Sequence, residues 1–226
     1  MTFSVSECIR FGWETFKKRG WFFVGMFLVY SIAGWLVSPV SAIPGGIVTA
    51  ISNETVGNIV AFVVSVALNV LIGIGWIAFI LKAHDNPESA GIADFWHPQL
   101  FWKYLLGTFL YYAVIIVGLV LLIVPGIIFS IMYMFIPYLI VDKGMSPVDA
   151  FRESKRITTG HKWDLLVLLF ATLAITVLGA ICLLVGLLVA GPVCALAVLH
   201  AYRSLEHGAN EVAPQGVAPV QQVPAA

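Results

Sequence analysis

Two stretches, Tyr104–Val141 and Leu165–Tyr202, run without a single Asp, Glu, Lys or Arg. No other feature narrows the fold of this chain so far. As one straight helix each would be about 57 Å long at about 1.5 Å per residue. The hydrocarbon layer of a bilayer is about 30 Å thick, so each run suits two crossings better than one. Composition points the same way. Of 226 residues, 60% are hydrophobic and 11% charged, where a soluble domain is nearer half and a quarter. A soluble core of this size cannot bury that excess, so lipid must solvate much of it.

Two further charge-free runs, Gly20–Asn53 and Thr55–Leu81, hold one apolar stretch each. Six spans follow, over about 21–37, 59–81, 104–124, 126–141, 165–184 and 187–203, with a Pro/Gly/Ser-rich loop through "SPVSAIPGG" after the first. The charges test that count. The twelve basic residues are Arg10, Lys17, Lys18, Arg19, Lys82, Lys103, Lys143, Arg152, Lys155, Arg156, Lys162 and Arg203. With six spans all of them fall on one side, and the opposite loops carry only Glu54. Basic residues in short loops mark the cytoplasmic side, so both termini are expected in the cytoplasm. The expected fold class is an all-α integral membrane protein. Its six transmembrane helices form three hairpins, with amphipathic cytoplasmic helices at the interface.

Pro-Gly at Pro125 and Gly126, in "LLIVPGIIF", reads as the tip of the second hairpin. Proline cannot continue a helix ladder and glycine permits the turn. The competing reading is a proline kink in one strongly tilted helix. The two long runs also look like copies. A shift of 61 residues lays Gly118 on Gly179, Pro125 on Gly186 and Asp142 on Arg203. The N-terminal stretch imitates a signal peptide, but the segment before it is long and amphipathic and the stretch contains Trp21 and Trp35. An uncleaved first span is expected. The membrane domain is expected over 1–207. The tail 208–226, mostly Pro, Gln, Val and Ala, is expected to be a disordered cytoplasmic end.

Three segments are candidates for function. In "SECIRFGWETFKKR", Val5, Cys8, Ile9, Gly12, Trp13 and Phe16 share one helical arc, as an interfacial amphipathic helix requires. In "MSPVDAFRESKRITTGHKW", Ser146 can cap, Pro147 suits the first turn, Asp149 sits where a capping-box acid would, and Gly160 ends the helix. Its apolar face is Ala150, Phe151, Ser154, Ile157 and Thr158. Arg152, Lys155 and Arg156, with Lys162 beyond, are the candidate residues for binding lipid head groups. The third segment is a stripe of small and polar residues on the second span, from Gly57 and Ala61 through Ser65, Asn69 and Gly73. Ser65, Asn69 and Gly73 are candidates for helix packing or for lining a pore.

Other chemistries find little support. Phe95, Trp96, Phe101, Trp102 and Tyr104 fit an interfacial aromatic belt. His84, His97, His161, His200 and His207 show no metal-ligand spacing, and neither do Cys8, Cys182 and Cys194. Cys182 and Cys194 flank the third hairpin tip and would pair only if it faces an oxidising space. No phosphate-binding loop, nucleophile elbow or HExxH is present. No catalytic residue, metal or cofactor is expected. Zero net charge predicts no nucleic-acid partner.

Through "FGWETFKKRGWFF", "IVPGIIF" and "DKGMSPVDAFRESKRITTGHKW", the chain resembles a family of poorly characterised bacterial multi-span membrane proteins. That family is related in pattern to the membrane domain attached to some glycerophosphoryl diester phosphodiesterases. Gly12, Trp13, Pro125, Gly126, Asp142, Ala150, Ser154, Gly160, Tyr202 and Leu205 carry the likeness. It implies a helical membrane protein and supplies no catalytic residues, and the chain has no phosphodiesterase domain. The expected function is non-enzymatic: a protein of the bacterial cytoplasmic membrane that binds lipids or partner membrane proteins, itself included. The alternative is a transporter or channel for a small solute or lipid. A membrane enzyme would require clustered His and acidic side chains in one cleft.

Overall fold

The computed structural model describes residues 4–86, 90–91, 95, 97–181 and 185–212. Among them the chain forms α1 (Val5–Lys18), α2 (Gly20–Ile51), α3 (Glu54–Asp85), α4 (Phe101–Leu121), α5 (Ile123–Met132), α6 (Ile136–Lys143), α7 (Pro147–Thr158), α8 (Lys162–Ile181) and α9 (Val185–Val212), with no strand. Six segments are long and apolar enough to cross a membrane: Gly20–Ile51, Glu54–Asp85, Pro98–Val120, Val124–Lys143, Lys162–Ile181 and Gly186–Ala209. The expected all-α architecture with six crossings is what the chain adopts. Because the spans alternate, every helix end that carries Lys or Arg lies on one side, here called the basic face.

The first hairpin departs from expectation. The "SPVSAIPGG" stretch is not a loop, because α2 runs through both Pro39 and Pro44 to Ile51. Packing overrides the local signal. A Cβ at Gly45 would sit 2.8 Å from the Gly57 carbonyl oxygen, so α3 lies directly against α2 there. Hydroxyls help as well: Ser41 donates to the Ser38 carbonyl at 3.0 Å and Thr49 to that of Gly45 at 2.9 Å. The turn itself is Ser52–Asn53, where the Asn53 side chain caps α3 by accepting from Val56 N at 3.0 Å. Each helix is about 48 Å long at about 1.5 Å per residue, well beyond the hydrocarbon thickness.

The second hairpin turns at Leu122, which is extended (φ −167°, ψ 143°), and not at Pro125 and Gly126. Those two residues sit in the first turn of α5, where a missing N–H costs a helix nothing. Gly126 serves the close approach instead: a Cβ on Gly118 would lie 3.0 Å from the Gly126 Cα. The third hairpin repeats this contact, since a Cβ on Gly179 would lie 2.9 Å from the Gly186 carbonyl oxygen. Gly118 and Gly179, which the 61-residue shift superposes, therefore do the same work in both hairpins, although their partners Gly126 and Gly186 are offset by one position.

The fourth span is broken, which the sequence reading does not anticipate. α5 ends at Met132 and α6 starts at Ile136, with Pro137 in its first turn. Ile136 N bonds to the Tyr133 carbonyl at 3.2 Å, three residues back, so the Met132 carbonyl loses its ladder donor. Ser154 of α7 donates its hydroxyl to it at 2.9 Å, while the Thr158 hydroxyl, 3.3 Å from the same carbonyl, bonds more closely to the Ser154 carbonyl of its own helix at 2.8 Å. The expected apolar face of α7 is thus real, with Ala150, Ser154, Ile157 and Thr158 buried, but it packs on protein rather than on lipid.

Helix α1 also docks on protein. A Cβ at Gly12 would meet the Val193 carbonyl oxygen of α9 at 2.6 Å, and Cys8 and Phe16 are buried beside it. The core gathers toward the basic face, around Phe79, Phe135, Ile136, Leu139, Leu196 and Tyr202. Trp21, Trp102 and Trp163 stand exposed around that end, as an aromatic belt does. Phe95 is not part of it, because it stacks on Phe79 at 5.5 Å. Residues 208–212, expected to be disordered, continue α9, and Arg156 Nη1 holds them by donating to the Ala209 carbonyl at 3.0 Å. The rest of the expected tail, Trp96, and Cys182 with its pairing lie outside the described residues.

Candidate functional site

The densest polar constellation lies at the basic face, where the three hairpins meet. Arg203 of α9 donates through Nη1 and Nη2 to Asp142 of α6 at 2.9 and 3.1 Å. Its Nη2 also reaches Asp85 at the end of α3 at 2.8 Å. One guanidinium thereby ties a helix from each hairpin. The fully buried Tyr202 donates its hydroxyl to the same Asp142 oxygen at 2.9 Å. Lys143 pairs with Glu206 Oε1 at 2.5 Å. Glu206 Oε2 lies 3.6 Å from Arg203 Nη1, in ionic contact but without hydrogen-bond geometry, and Arg203 Nε is buried without a partner among the described residues.

The placement follows from the sequence. Asp142 and Arg203 stand at the first charged positions after two long apolar runs, so each emerges where its hairpin returns to the basic face. They are also the residues that superpose under the 61-residue shift. Equivalent positions in the two hairpins thus carry opposite charges and pair with each other. Such a half-buried bidentate pair fixes register more than it adds stability, because desolvation offsets much of the attraction. Beside it, His84 Nε2 and His200 Nδ1 are 3.2 Å apart, and Phe11 of α1 stacks on His200 at 4.1 Å. The histidines have no useful spacing in sequence, and the fold pairs them across 116 positions. Among the described residues no group of three His, Cys, Asp or Glu side chains is arranged to hold a metal ion.

Helix α7 forms the rim of this face. Ser146 accepts from Asp149 N at 3.3 Å and donates to the Asp149 carboxylate at 2.6 Å, as its capping role requires. Gly160, at φ 97°, takes the left-handed turn that ends the segment. The four basic candidates do not stand alike. Arg156 forks onto Glu153 at 2.8 and 2.6 Å. Those hydrogen bonds hold the Glu153 carboxyl below its ordinary value and the Arg156 guanidinium above its own. Arg152, Lys155 and Lys162 have exposed side chains and no ion pair or hydrogen bond among the described residues.

The stripe on α3 behaves differently from a packing seam. Gly73 does admit a neighbour, since a Cβ there would lie 2.8 Å from the Tyr104 hydroxyl of α4. Asn69, however, is exposed, and its Nδ2 donates to the Ser65 carbonyl of its own helix at 2.8 Å. It bridges no helices. Cys8 and Cys194 are free thiols, and burial first, with Glu7 nearby, pushes the Cys8 thiol up to about 11.

Residues 100–223 match the model of a family described as a domain of unknown function, DUF7847. The chain belongs to that family. The DUF7847 region opens at α4 and takes in α5 to α9, so it includes Asp142, Arg203 and all of α7, while Asp85 reaches the cluster from outside it. The uncharacterized protein Rv2560 of Mycobacterium tuberculosis is 25% identical over 229 residues, covering 91% of this chain and 70% of its own length. The uncharacterized protein Mb2590 of Mycobacterium bovis is 24% identical over the same extent and coverage. Neither is named as a glycerophosphoryl diester phosphodiesterase. No solved structure matches the chain.

Sequence reasoning finds α7 and its caps but misses the cluster on Arg203. The signal was the pair of charges closing each long apolar run. Nothing in the sequence shows which of these chain ends meet.

Proposed function

We propose that this protein is a non-enzymatic component of the bacterial cytoplasmic membrane, with both termini in the cytoplasm, that binds anionic lipid head groups along α7. The observation that carries this reading is the set Arg152, Lys155 and Lys162. Three cations stand exposed at the basic face beside the exposed Trp163. Each cation near a negatively charged leaflet is worth about 1 kcal/mol. Arg156 contributes mainly by holding Glu153 and the end of α9. Partner membrane proteins, a second copy included, would use the same face. The test is charge reversal, Arg152→Glu with Lys155→Glu, in full-length protein extracted gently and examined by native mass spectrometry. Copurified anionic lipid should fall. Unchanged lipid content rejects the head-group role.

A transporter for a small solute or lipid is the second reading. The break between α5 and α6 supports it, since interrupted spans recur at transport sites. Transport of a small solute or lipid by the purified protein in proteoliposomes, absent from protein-free liposomes, would favour it over the first.

A further inference from the structure

His84 of α3 and His200 of α9 meet where α1 docks, and neither has a role in head-group binding. Their facing nitrogens, His84 Nε2 and His200 Nδ1, are 3.2 Å apart, and the His84 side chain is mostly buried. Phe11 of α1 covers both rings. Its centroid lies 4.1 Å from that of His200, with the planes 13° apart, and 4.7 Å from that of His84. One aromatic side chain thus presses together two imidazoles from different hairpins. The rest of the seat is apolar, with Gly12 against the Val193 carbonyl and Cys8 and Phe16 buried.

The hydrogen bonds fix where the protons sit. Asp85 Oδ2 accepts from Arg203, and Asp85 Oδ1 lies 3.0 Å from His84 Nδ1. An ionised carboxylate only accepts, so His84 Nδ1 donates. In neutral His84 the Nε2 is then a bare acceptor, and His200 Nδ1 must donate to it. A neutral His200 keeps its lone pair on Nε2, which is not buried and has no hydrogen-bond partner among the described residues. A first proton can enter there, because the contact between the rings still holds a single hydrogen. A second proton cannot. Both facing nitrogens would then carry hydrogens, and two N–H groups cannot stand head to head at 3.2 Å. The charged and titratable groups facing the pair are Glu7 of α1, Asp85 of α3, and Arg203 and His207 of α9, with Asp142 of α6 behind Arg203. None of them relieves that clash, since Asp85 is already shared between His84 and Arg203.

We infer that His84, His200 and Phe11 form an acid-sensitive latch: uptake of a second proton parts the two rings and releases α1 from α9. With α1 undocked the rings are free to separate, and each takes a proton near the ordinary histidine value of about 6.5. The docked pair holds at most one. The undocked state therefore binds more protons, so docking is favoured above that value and weakens by up to about tenfold per pH unit below it. The freed helix still has an apolar arc, which suits the membrane interface. The latch stands apart from α7 and does not depend on head-group binding.

Full-length protein in nanodiscs, with Cys182 and Cys194 replaced by Ala, tests it. The rate at which a maleimide alkylates Cys8, divided by the rate in the same protein unfolded at the same pH, measures undocking free of the thiol's own titration. That ratio should rise by about tenfold between about pH 7.5 and about pH 5.5. The rise should persist in His207→Gln. It should shrink to about twofold or less in His200→Phe, which keeps an aromatic ring beneath Phe11 and cannot take a proton. His84→Gln should remove it in the same way, and decides the matter if His200→Phe does not fold. A ratio that does not change with pH, a rise that survives His200→Phe or His84→Gln, or a rise lost in His207→Gln overturns the latch.

Discussion

Replacing Asp142 by Leu removes the acceptor on which the basic-face cluster turns. In the native fold one Asp142 oxygen accepts from both Tyr202 and Arg203 and the other accepts from Arg203. The substitution leaves a guanidinium that is 19% exposed facing only the more solvent-exposed Asp85 and the distant Glu206 oxygen. It also strands the hydroxyl of a fully buried tyrosine. Removing one partner of a buried pair costs about 3–5 kcal/mol, and a stranded hydroxyl about 1–3 kcal/mol. Asp85 still partners Arg203, which brings the expected loss to about 3 kcal/mol. Arg203→Met should cost a similar amount, because Asp142 is then left with Tyr202 alone. The double variant, Asp142→Leu with Arg203→Met, should cost clearly less than the sum, since no unpaired charge stays buried at this contact. Thermal unfolding in detergent, followed by tryptophan fluorescence, reads the effect. At about 2–4 °C per kcal/mol for a chain of this size, each single variant should melt roughly 6–12 °C lower. Strict additivity of the two substitutions, or single variants that melt with the native protein, would refute the clamp.

Three further outcomes follow from other parts of the fold. Ser154→Ala leaves the Met132 carbonyl without its close hydroxyl donor and should destabilise by about 1–3 kcal/mol, with Thr158→Val milder because that hydroxyl bonds chiefly to its own helix; unfolding midpoints check this. Gly12→Leu drives a side chain into the Val193 carbonyl and should lift α1 from α9, so that Cys8, buried and with a thiol near 11, alkylates much faster with maleimide than in the native protein. Glu153 titrates below its ordinary value of 4.5 because Arg156 bonds its ionised form. Its contribution is therefore present above the unfolded value and is lost as pH falls through the depressed one. Glu153→Gln should be less stable than the native protein at neutral pH, and the gap should close as pH falls below about 4.5, so that the acid limb of its stability profile is flatter.

The span count was legible because it rests on two long-range quantities, bilayer thickness and charge asymmetry, that local detail does not alter. The α7 caps were legible because Ser146, Pro147 and Asp149 act within one turn. What the sequence hid is non-local. Pro39 and Pro44 read as a loop, yet α3 packs on Gly45 and holds α2 helical through both. Pro125 and Gly126 read as a turn, yet Leu122 turns and the glycine serves an approach to Gly118. The Met132 carbonyl freed by the break before Ile136 is satisfied by the Ser154 hydroxyl, 22 positions downstream. His84 with His200, and Asp142 with Arg203, meet only because separate hairpins return to one face. Of the site residues, α7 was found through its amphipathic pattern.

The central claim is a chain that crosses the bilayer six times and keeps its cations on one side. With Cys8, Cys182 and Cys194 replaced by Ser, a single cysteine can be placed at Ser52 or at Lys162 and probed in intact cells with a membrane-impermeant maleimide. Ser52→Cys, in the turn opposite the basic face, should be labelled from outside, and Lys162→Cys only after the membrane is opened. Labelling of Lys162→Cys in intact cells would contradict the account.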